Sequence, residues 1–335
     1  MSGMKRIVII TLFLITMPLS SYAQKTLFPL LGGQRAGTSV FTFLKIGIGA
    51  RVGAMGNSGV SLASDATCLY WNPASAAQVG SNNIAFSHTQ WPTDISYSYV
   101  GYIHKMSVYD FVGVSFGALY TDPMEITTEY QPYGTGEYFN YGDVFLGLTY
   151  SRKMTNRFSF GVTIKYVEEV LADLSMNNVL MDLGTFYWTG FKTLRFCVSL
   201  VNFGPQSRPS GTYLKPLKEG GYTESKYTLF SPPTEFRIGA AMDIYQNGRN
   251  KLLLTAQLNH PVDNAENFVS GVEYSIGNVL FLRGGWVVNL AERRYTTGCG
   301  VRLPIDRFLL RADVSYADFG VLGNIIQLQM SLGGK

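Results

Sequence analysis

Few residues of this chain have the types and spacing that catalysis or metal binding requires. The three histidines, His88, His104 and His260, lie far apart in sequence, and no HExxH or CxxC motif is present. Ser58 lies in the glycine-flanked segment 56–59, whose spacing differs from the Gly-x-Ser-x-Gly of a nucleophile elbow. We therefore expect no enzymatic activity, no metal and no other cofactor.

The cysteines and the glycine-rich segment give no stronger sign of chemistry. The three cysteines, Cys68, Cys197 and Cys299, are an odd number and form no disulfide framework, so we expect them to be packing residues. The glycines of segment 47–53 have the wrong spacing for a nucleotide-binding loop, and no βαβ unit follows them. This part of the sequence indicates neither redox chemistry nor nucleotide binding.

The composition of the chain is poor in charge and rich in aromatic residues. Charged residues make up 15% of the chain, and there are 21 Tyr and 21 Phe. Because about a quarter of an ordinary soluble domain is charged, such a chain would cover a water-exposed surface poorly. A barrel that faces lipid needs few charges, although secreted soluble β-proteins can have similar compositions. The net charge of +4 is too small to indicate nucleic-acid binding.

The first 23 residues are typical of a secretory signal peptide. Lys5 and Arg6 precede the apolar run 7–14, and Ser21-Tyr22-Ala23 is a small-x-small cleavage site. The apolar run is much shorter than the ~20 residues that a membrane-spanning helix requires. We therefore predict an exported chain whose mature form begins at Gln24, with a formal charge of 25 − 23 = +2 once Lys5 and Arg6 are removed.

From residue 84 onward, apolar residues recur with a period of two. The clearest run is Phe158, Phe160, Val162, Ile164 and Tyr166, with small or polar residues between them. A helix would scatter these side chains around its surface, whereas a strand places them on one face. The second segment shows the same alternation, with an apolar set of Ile95, Tyr97, Tyr99 and Ile103 set against Ser96, Ser98 and His104.

We count fourteen such segments, most of them as long as a tilted transmembrane strand. They span 84–90, 95–104, 110–120, 142–153, 157–168, 178–189, 193–203, 234–246, 250–260, 267–276, 279–288, 294–304, 307–316 and 324–332. The sequence therefore predicts an all-β protein, a fourteen-stranded antiparallel transmembrane β-barrel, over residues 83–335.

The lengths of the connections predict the orientation of this barrel. Links after even-numbered strands are short and carry turn residues, as in 154–156, 190–192, 247–249, 277–278 and 305–306. Links after odd-numbered strands are longer, above all 121–141 and 204–233. Outer-membrane barrels have short periplasmic turns and long outer loops, so the first strand should rise from the periplasm.

The charges of strands five to thirteen share one parity, opposite to the apolar residues. A charge at the bilayer midplane costs ~2–4 kcal/mol, so we expect each apolar set to face hydrocarbon and each charged set to face a filled polar interior. Because the signs are mixed, we predict a paired network rather than an ion-selective ring. Its members are Lys165, Asp182, Arg195, Arg237, Asp243, Glu273, Arg283, Arg302, Arg311 and Asp313.

Many strand glycines share the inward parity, which suggests that something fills the barrel. They are Gly113, Gly117, Gly147, Gly161, Gly184, Gly239, Gly271, Gly285, Gly298 and Gly300, whereas Gly101 and Gly284 break the pattern. Such glycines relieve barrel curvature or leave room for a plug. We favour the plug, because residues 24–82 are rich in small residues and lack strand alternation. Asn72-Pro73 predicts a short helix over 73–78 within that segment.

The same segment resembles a known family. The blocks that carry the resemblance are Phe43-Leu44-Lys45-Ile46-Gly47-Ile48-Gly49-Ala50-Arg51, Ala54-Met55-Gly56, Ser64-Asp65-Ala66-Thr67 and Leu69-Tyr70-Trp71-Asn72-Pro73-Ala74. They resemble the PorV/PorQ family, which is similar to the FadL-type transporters. The motif residues are Gly47, Gly49, Arg51, Gly56, Asp65, Asn72, Pro73 and Ala74. Weaker matches follow at 202–204, 271–274, 282–286 and 313–316.

The resemblance implies a role in the outer membrane of a Gram-negative bacterium of the Bacteroidetes type. It implies a fourteen-stranded barrel with its N-terminal segment folded into the lumen. Family members of the PorV type serve type IX secretion, where they bind the C-terminal signal domains of cargo and contact translocon or attachment-complex proteins. The expected partners are therefore outer-membrane lipid and these proteins, with no nucleic acid.

Three hypotheses of function remain open. The first is a cargo-binding barrel whose outer loops present aromatic anchors, although the same residues suit a headgroup-level girdle. The second is a FadL-like transporter of hydrophobic compounds with Phe41, Phe43 and Trp71 around an apolar pocket, although these also suit a packed core. The third is a purely structural barrel. The candidate loop anchors are Tyr130, Tyr133, Tyr138, Tyr213, Tyr222, Tyr227 and Phe230.

Overall fold

The computed structural model describes residues 37–216, 220–289 and 295–334. Within these residues, fourteen antiparallel strands close into one barrel. The predicted signal peptide, and residues 24–36 of the predicted N-terminal segment, lie outside the described residues. Over the described part of the chain, no helix has the length and apolar character needed to cross a membrane.

Each barrel strand pairs with its neighbours in sequence, and β1 closes the barrel against β14. This confirms the predicted all-β fold, its strand number and its antiparallel pairing. The strands are β1 Asn83–Trp91, β2 Ile95–Lys105, β3 Asp110–Tyr120, β4 Tyr141–Lys153, β5 Phe158–Leu171, β6 Leu174–Trp188, β7 Arg195–Phe203, β8 Glu235–Asn247, β9 Asn250–Pro261, β10 Asn267–Ile276, β11 Leu280–Val288, β12 Tyr295–Ile305, β13 Phe308–Asp318 and β14 Asn324–Gly334.

The two longest connections carry small hairpins of their own. In the link 121–140, Met124–Glu125 pairs with Tyr138–Phe139, and in the link 204–234, Thr212–Pro216 pairs with Tyr222–Lys226. We call the end of the barrel with these two links the loop rim. The opposite end, with the six links after even-numbered strands, is the turn rim.

The hairpin of β5 and β6 is longer than the sequence predicted. The predicted connection 169–177 is in fact paired strand except for the turn Ala172-Asp173. Glu168 pairs with Asn177 beyond the last clearly alternating residues. Polar residues on both faces of the strand ends removed the alternation that would have marked them as strand.

In β2 the apolar residues face the barrel interior, which corrects the expectation that every apolar set faces hydrocarbon. Tyr97, Tyr99 and Ile103 are buried, whereas Val100 and Tyr102 are exposed on the outside. Both faces of this strand meet apolar surroundings, because the interior beside it is aromatic. Period-two alternation alone therefore cannot assign its faces. Gly101 likewise faces inward, where a Cβ would overlap the Ala66 carbonyl, so it does not break the glycine pattern.

Residues 38–79, here called the inner segment, pack against the inward side chains of the strands. They form 3₁₀ turns at Thr42–Lys45 and Pro73–Ser75 and three one-turn helices, α1 Ala50–Gly53, α2 Cys68–Trp71 and α3 Ala76–Val79. At the predicted helix over 73–78, the 3₁₀ turn runs directly into α3. Asn72 Oδ1 accepts a hydrogen bond from Ala74 N at 3.0 Å, which is the geometry of a helix cap.

Most of the inward glycines lie where the inner segment comes closest to the wall, whereas Gly117, Gly147 and Gly300 lie against wall side chains. A Cβ on Gly161 would overlap the backbone of Pro73 and Ala74, and one on Gly285 would overlap Gly56 N. Similar overlaps with the inner segment would arise at Gly113, Gly184, Gly239, Gly271 and Gly298. These glycines therefore give room to the inner segment rather than only to barrel curvature.

Alanine substitution at two strand glycines tests this packing. We expect Gly161→Ala to reduce the free energy of unfolding by about 1–3 kcal/mol, because its methyl group collides with backbone. Gly284→Ala is the matched control: it faces outward, and the nearest atom to its Cβ would be Val272 Cγ1 at 3.7 Å. Guanidinium unfolding of the detergent-refolded barrel measures both. Equal effects at the two positions would contradict the packing argument.

Candidate functional site

Arg51 of the inner segment joins a cluster of charged residues on the barrel wall. Its Nε and Nη2 atoms donate to the two carboxylate oxygens of Glu273 at 2.8 and 2.7 Å. Arg283 Nε contacts Glu273 at 2.6 Å and Arg283 Nη2 contacts Asp313 at 2.8 Å. Arg311 Nε lies 2.9 Å from Asp313. All five side chains are buried. The bidentate pair of Arg51 and Glu273 fixes α1 against β10. The contacts of Arg283 and Arg311 join this pair to β11 and β13.

This five-residue cluster holds three guanidinium groups and two carboxylates. The guanidinium groups of Arg283 and Arg311 also lie 5.4 and 4.9 Å from the centre of the Phe281 ring, whose face attracts cations. Buried charges are costly unless they are paired and hydrogen-bonded. The cluster is therefore a paired structural network that joins the inner segment to the wall.

Two further ion pairs contain predicted interior charges, Lys165 with Asp182 and Arg237 with Glu235. Lys165 Nζ lies 2.8 Å from Asp182 Oδ2 and donates to Asn202 Oδ1 at 2.7 Å. Arg237 Nε donates to Glu235 at 2.7 Å, and its guanidinium lies 5.0 Å from the centre of the Trp71 ring. The second pair links the wall to the aromatic end of α2. The sequence pattern missed Glu235, because it lies at the very start of β8.

The other three predicted charges do not join these pairs. Arg195 Nε donates to the Ser61 carbonyl at 2.9 Å, so it holds the inner segment through its backbone. Arg302 Nη1 donates to Asn278 Oδ1 at 2.8 Å near the turn rim. With the residues that the structure describes, neither Asp243 nor Arg302 makes an ion pair. The predicted network is thus three separate groups, with Arg195, Asp243 and Arg302 outside them.

Uncharged wall side chains also hold the inner segment. Thr296 Oγ1 and Gln257 Oε1 accept hydrogen bonds from Gly56 N and Val60 N, each at 2.9 Å. Sequence reasoning missed this role because it scored only charges. The signal that could have revealed it is the set of amide side chains on the inward parity. Further bonds of this kind include Gln327 Nε2 to Gly47 O, Gln329 Nε2 to Asp65 Oδ2, and Ala66 N to Asn83 Oδ1.

The family-motif residues shape the inner segment. Gly49 and Gly56 adopt φ angles of +93° and +71°, which disfavour any residue with a side chain. Gly47 lies against the side chain of Asn57, which leaves no room for a Cβ. Asp65 Oδ1 accepts a hydrogen bond from Thr67 N at 3.0 Å just before α2. Asn72, ahead of Pro73 and Ala74, also donates from Nδ2 to Thr185 O of β6 at 3.0 Å.

The candidate contacts for a hydrophobic ligand are packed side chains. Phe41, Phe43 and Trp71 are buried in one cluster with Tyr97 and Phe145 of the wall. The ring of Phe43 lies edge-on to Tyr97 with centroids 6.1 Å apart. These three aromatic residues therefore act as the core between the inner segment and β2–β4.

The aromatic residues of the two long links differ in exposure. Tyr130 and Tyr133 are 93% and 98% exposed, and Tyr138 and Tyr222 are also largely exposed. The rings of Tyr213 and Tyr227 contact each other in a tilted arrangement, with centroids 5.3 Å apart. Phe230 is partly buried against the interior aromatic cluster, and its backbone pairs with Ser207. Phe230 thus fixes the base of its loop, whereas the tyrosines of 121–140 are open to solvent.

The sequence model described as "Type IX secretion system protein PorV" matches residues 32–192, which include the inner segment and β1–β6. The chain resembles the PorV family over these residues. The matched residues contain all of the family-motif positions above. Among curated protein sequences, none matches the chain.

Solved structures with the same fold include channels from other bacteria. The toluene transporter TbuX of Ralstonia pickettii has a TM-score of 0.56 and 12% identity, covering 86% of this chain and 97% of its own. The toluene transporter TodX of Pseudomonas putida has a TM-score of 0.55 and 12% identity, covering 84% and 95%. At this identity the likeness shows the fold alone, a FadL-like β-barrel.

Neither comparison points to catalysis in this barrel. Across the described ranges, no group of three or more His, Cys, Asp or Glu side chains is arranged to hold a metal ion. Cys68 and Cys197 are buried as free thiols, and Cys299 faces the outside. The site that the structure assembles is a packing interface between the inner segment and the wall.

Charge balance in the five-residue cluster predicts unequal effects of two substitutions. Glu273→Gln leaves three guanidinium groups around one carboxylate, so we expect a loss of about 3–5 kcal/mol in the free energy of unfolding. Arg51→Met leaves two cations with two anions and should cost about 1–3 kcal/mol. Guanidinium unfolding measures both variants.

The control for this pair is Arg152→Gln at an exposed ion pair. Arg152 Nη1 lies 3.5 Å from Asp110 Oδ1 on the outer wall, where solvent screens the charges. We expect the free energy of unfolding to change by less than about 1 kcal/mol. If Arg51→Met costs as much as Glu273→Gln, charge balance is not what governs the cluster.

Proposed function

We propose that this barrel is an accessory component of type IX protein secretion that binds or shuttles secreted cargo through its loop rim. The observation that carries the proposal is the PorV family match over residues 32–192. The proposal locates the protein in the outer membrane of a Bacteroidetes-type bacterium. Its partners would be the C-terminal signal domains of cargo and proteins of the translocon or the attachment complex.

The loop rim supplies the surface that such a role needs. Tyrosine is a frequent anchor of protein interfaces, because a large rigid ring and a hydroxyl group bind with little loss of conformational freedom. Tyr130 and Tyr133 project into solvent from the link 121–140. A headgroup-level girdle explains them less well, because girdle residues lie on the outer wall of strands rather than on hairpin loops.

The inner segment supports a role at the rim rather than within the lumen. It contacts the wall through the Arg51 cluster on one side and through Phe43 on the other. We propose that it is a permanent plug which lets the barrel act as a rigid platform. Two predictions test the function at the loop rim.

Transport of hydrophobic compounds, the alternative function, has weaker support. TbuX and TodX are toluene transporters, but their likeness to this chain is one of fold. The aromatic residues that would line a ligand pocket are instead packed against Tyr97 and Phe145. Nothing in the described residues favours transport over the secretion role.

Removal of the tip of the second loop tests cargo binding. We expect replacement of 211–227 by a short Gly-Ser linker to abolish cargo retention at the cell surface while the barrel still inserts. The deletion spares Ser207 and Phe230, whose mutual hydrogen bonds close the loop base. Cell-surface cargo is measured by protease accessibility, and insertion by heat-modifiable gel mobility. Normal retention of cargo by the inserted variant would refute the proposal.

Tyrosine truncation in the first loop gives an independent test. Tyr130→Ala with Tyr133→Ala should weaken cargo binding about tenfold or more, because truncation of an interface anchor typically costs ~2 kcal/mol. Both side chains are almost fully exposed, so the unfolding free energy should stay within about 0.5 kcal/mol of the parent. Tyr316→Ala, on the outer wall of β13, is the control for loss of an exposed tyrosine. Unchanged affinity of the double variant for purified cargo domains would remove this loop from the binding surface.

A further inference from the structure

The turn rim carries an exposed apolar patch that the proposed function does not use. Three neighbouring turns contribute to it: 106–109 between β2 and β3, 154–157 between β4 and β5, and 189–194 between β6 and β7. We call these three turns the apolar arc. Its apolar side chains are 55–66% exposed; they are Met106, Val108, Tyr109, Met154 and Phe191.

The apolar arc is a continuous surface. Lys153 N donates to Tyr109 O at 2.8 Å, which joins the first turn to the second. Trp188 N donates to Arg157 O at 2.8 Å, and the Arg157 guanidinium lies against Gly190, which joins the second turn to the third. These bonds fix the turns to one another, so their apolar tips form one rigid patch.

Basic residues surround the patch. They outnumber acidic ones five to one over 105–110, 152–157 and 189–194: Lys105, Arg152, Lys153, Arg157 and Lys192 against Asp110. The one carboxylate already accepts hydrogen bonds from Tyr150 and Ser107 and pairs with Arg152. The patch therefore has an excess of positive charge that no described carboxylate balances.

The other half of the turn rim is poorer in apolar turn residues and has only two basic turn residues, Arg249 and Arg307, against Asp306. Its turns 248–249, 277–279 and 306–307 have the sequences Gly-Arg, Gly-Asn-Val and Asp-Arg, so Val279 is their single apolar residue. Exposed apolar residues rimmed by charge mark a contact surface when they are clustered and are unremarkable when scattered. The clustering on one side of the rim indicates a contact made on that side.

Two observations favour a protein over the anionic lipid of the membrane. Lipid headgroups surround a barrel on all sides, whereas the apolar arc covers only half of the rim. Lys105 and Lys153 also lie on the inward parity, and the Lys153 ammonium is 5.5 Å from the centre of the buried Phe111 ring. A protein beneath the barrel mouth can reach cations on this parity, which points away from the surrounding lipid.

We propose that the apolar arc binds a periplasmic protein through a segment in which carboxylates flank apolar side chains. Short turns of outer-membrane barrels face the periplasm, which sets the compartment. Charge complementarity sets the sign of the partner surface, and the apolar tips supply its centre. The inference concerns the rim opposite the proposed cargo surface and stands independently of it.

Site-specific photo-cross-linking in living cells tests the proposal. The full-length protein carries p-benzoylphenylalanine at Met154 or Phe191, or at Val279 as the matched apolar control on the far turns. We expect a protein adduct at the first two positions with a yield about tenfold above that at Val279. Mass spectrometry of the adduct should place a contact peptide of net negative charge at the cross-link.

Charge reversal supplies the second part of the test. Arg157→Glu with Lys192→Glu should reduce the adduct at Met154 about tenfold, whereas Arg249→Glu on the far side should leave it unchanged. Heat-modifiable mobility verifies that each variant is folded. If the double variant does not fold, the adduct yield of the parent protein is measured in isolated outer membranes at increasing salt. An electrostatic contact gives less adduct as salt is raised.

Several outcomes would overturn the proposal. They are adducts with phospholipid alone, no adduct, equal yield at Val279, a contact peptide without net negative charge, and a yield that neither charge reversal nor salt alters. Because cargo retention is measured at the loop rim, either proposal can fail while the other stands.

Discussion

The irregular backbone of the inner segment must find hydrogen-bond partners inside a barrel whose outer wall meets lipid. Water cannot serve buried donors and acceptors freely, and a strand wall uses its own backbone groups in its ladders. The remaining partners are wall side chains. Thr296, Gln257 and Gln327 fill that role, and Arg51 and Lys45 add charged anchors through Glu273 and Asp263. The polar side chains inside β8–β14 therefore supply hydrogen-bond partners to an inner segment that has almost no regular secondary structure.

The same constraint explains why the interior is divided into two halves. Beside β2–β6, Phe43 and Leu44 of the inner segment pack in one cluster with Tyr97, Tyr99 and Phe145 of the wall. Two of the hydroxyl groups on this side are used: Tyr99 OH donates to Ala66 O and Tyr70 OH donates to Leu44 O. Tightly packed aromatic rings and paired charges both resist the entry of water. Together they hold the inner segment without a long helix or an added strand.

The strand framework could be predicted from the sequence, because lipid on one face and a filled lumen on the other impose a period of two. The prediction was wrong where this difference in solvent is absent: at β2, whose two faces are both apolar, and at the polar ends of β5 and β6. The partners of the interior charges could not be predicted. Parity gives the face of Glu273, but its pairing with Arg51 depends on how an irregular segment folds. The five-residue cluster thus needed the three-dimensional structure.

A barrel filled in this way has two rims as its exposed working surfaces, and they differ in charge. The link 121–140 on the loop rim has four carboxylates, Asp122, Glu125, Glu129 and Glu137, and no basic residue. The apolar arc on the turn rim is basic. Charge mainly sets the specificity and the rate of association, so the two rims select different partners. Since the inner segment joins the walls between them through buried pairs, the partners proposed at the two rims would be held on one rigid frame.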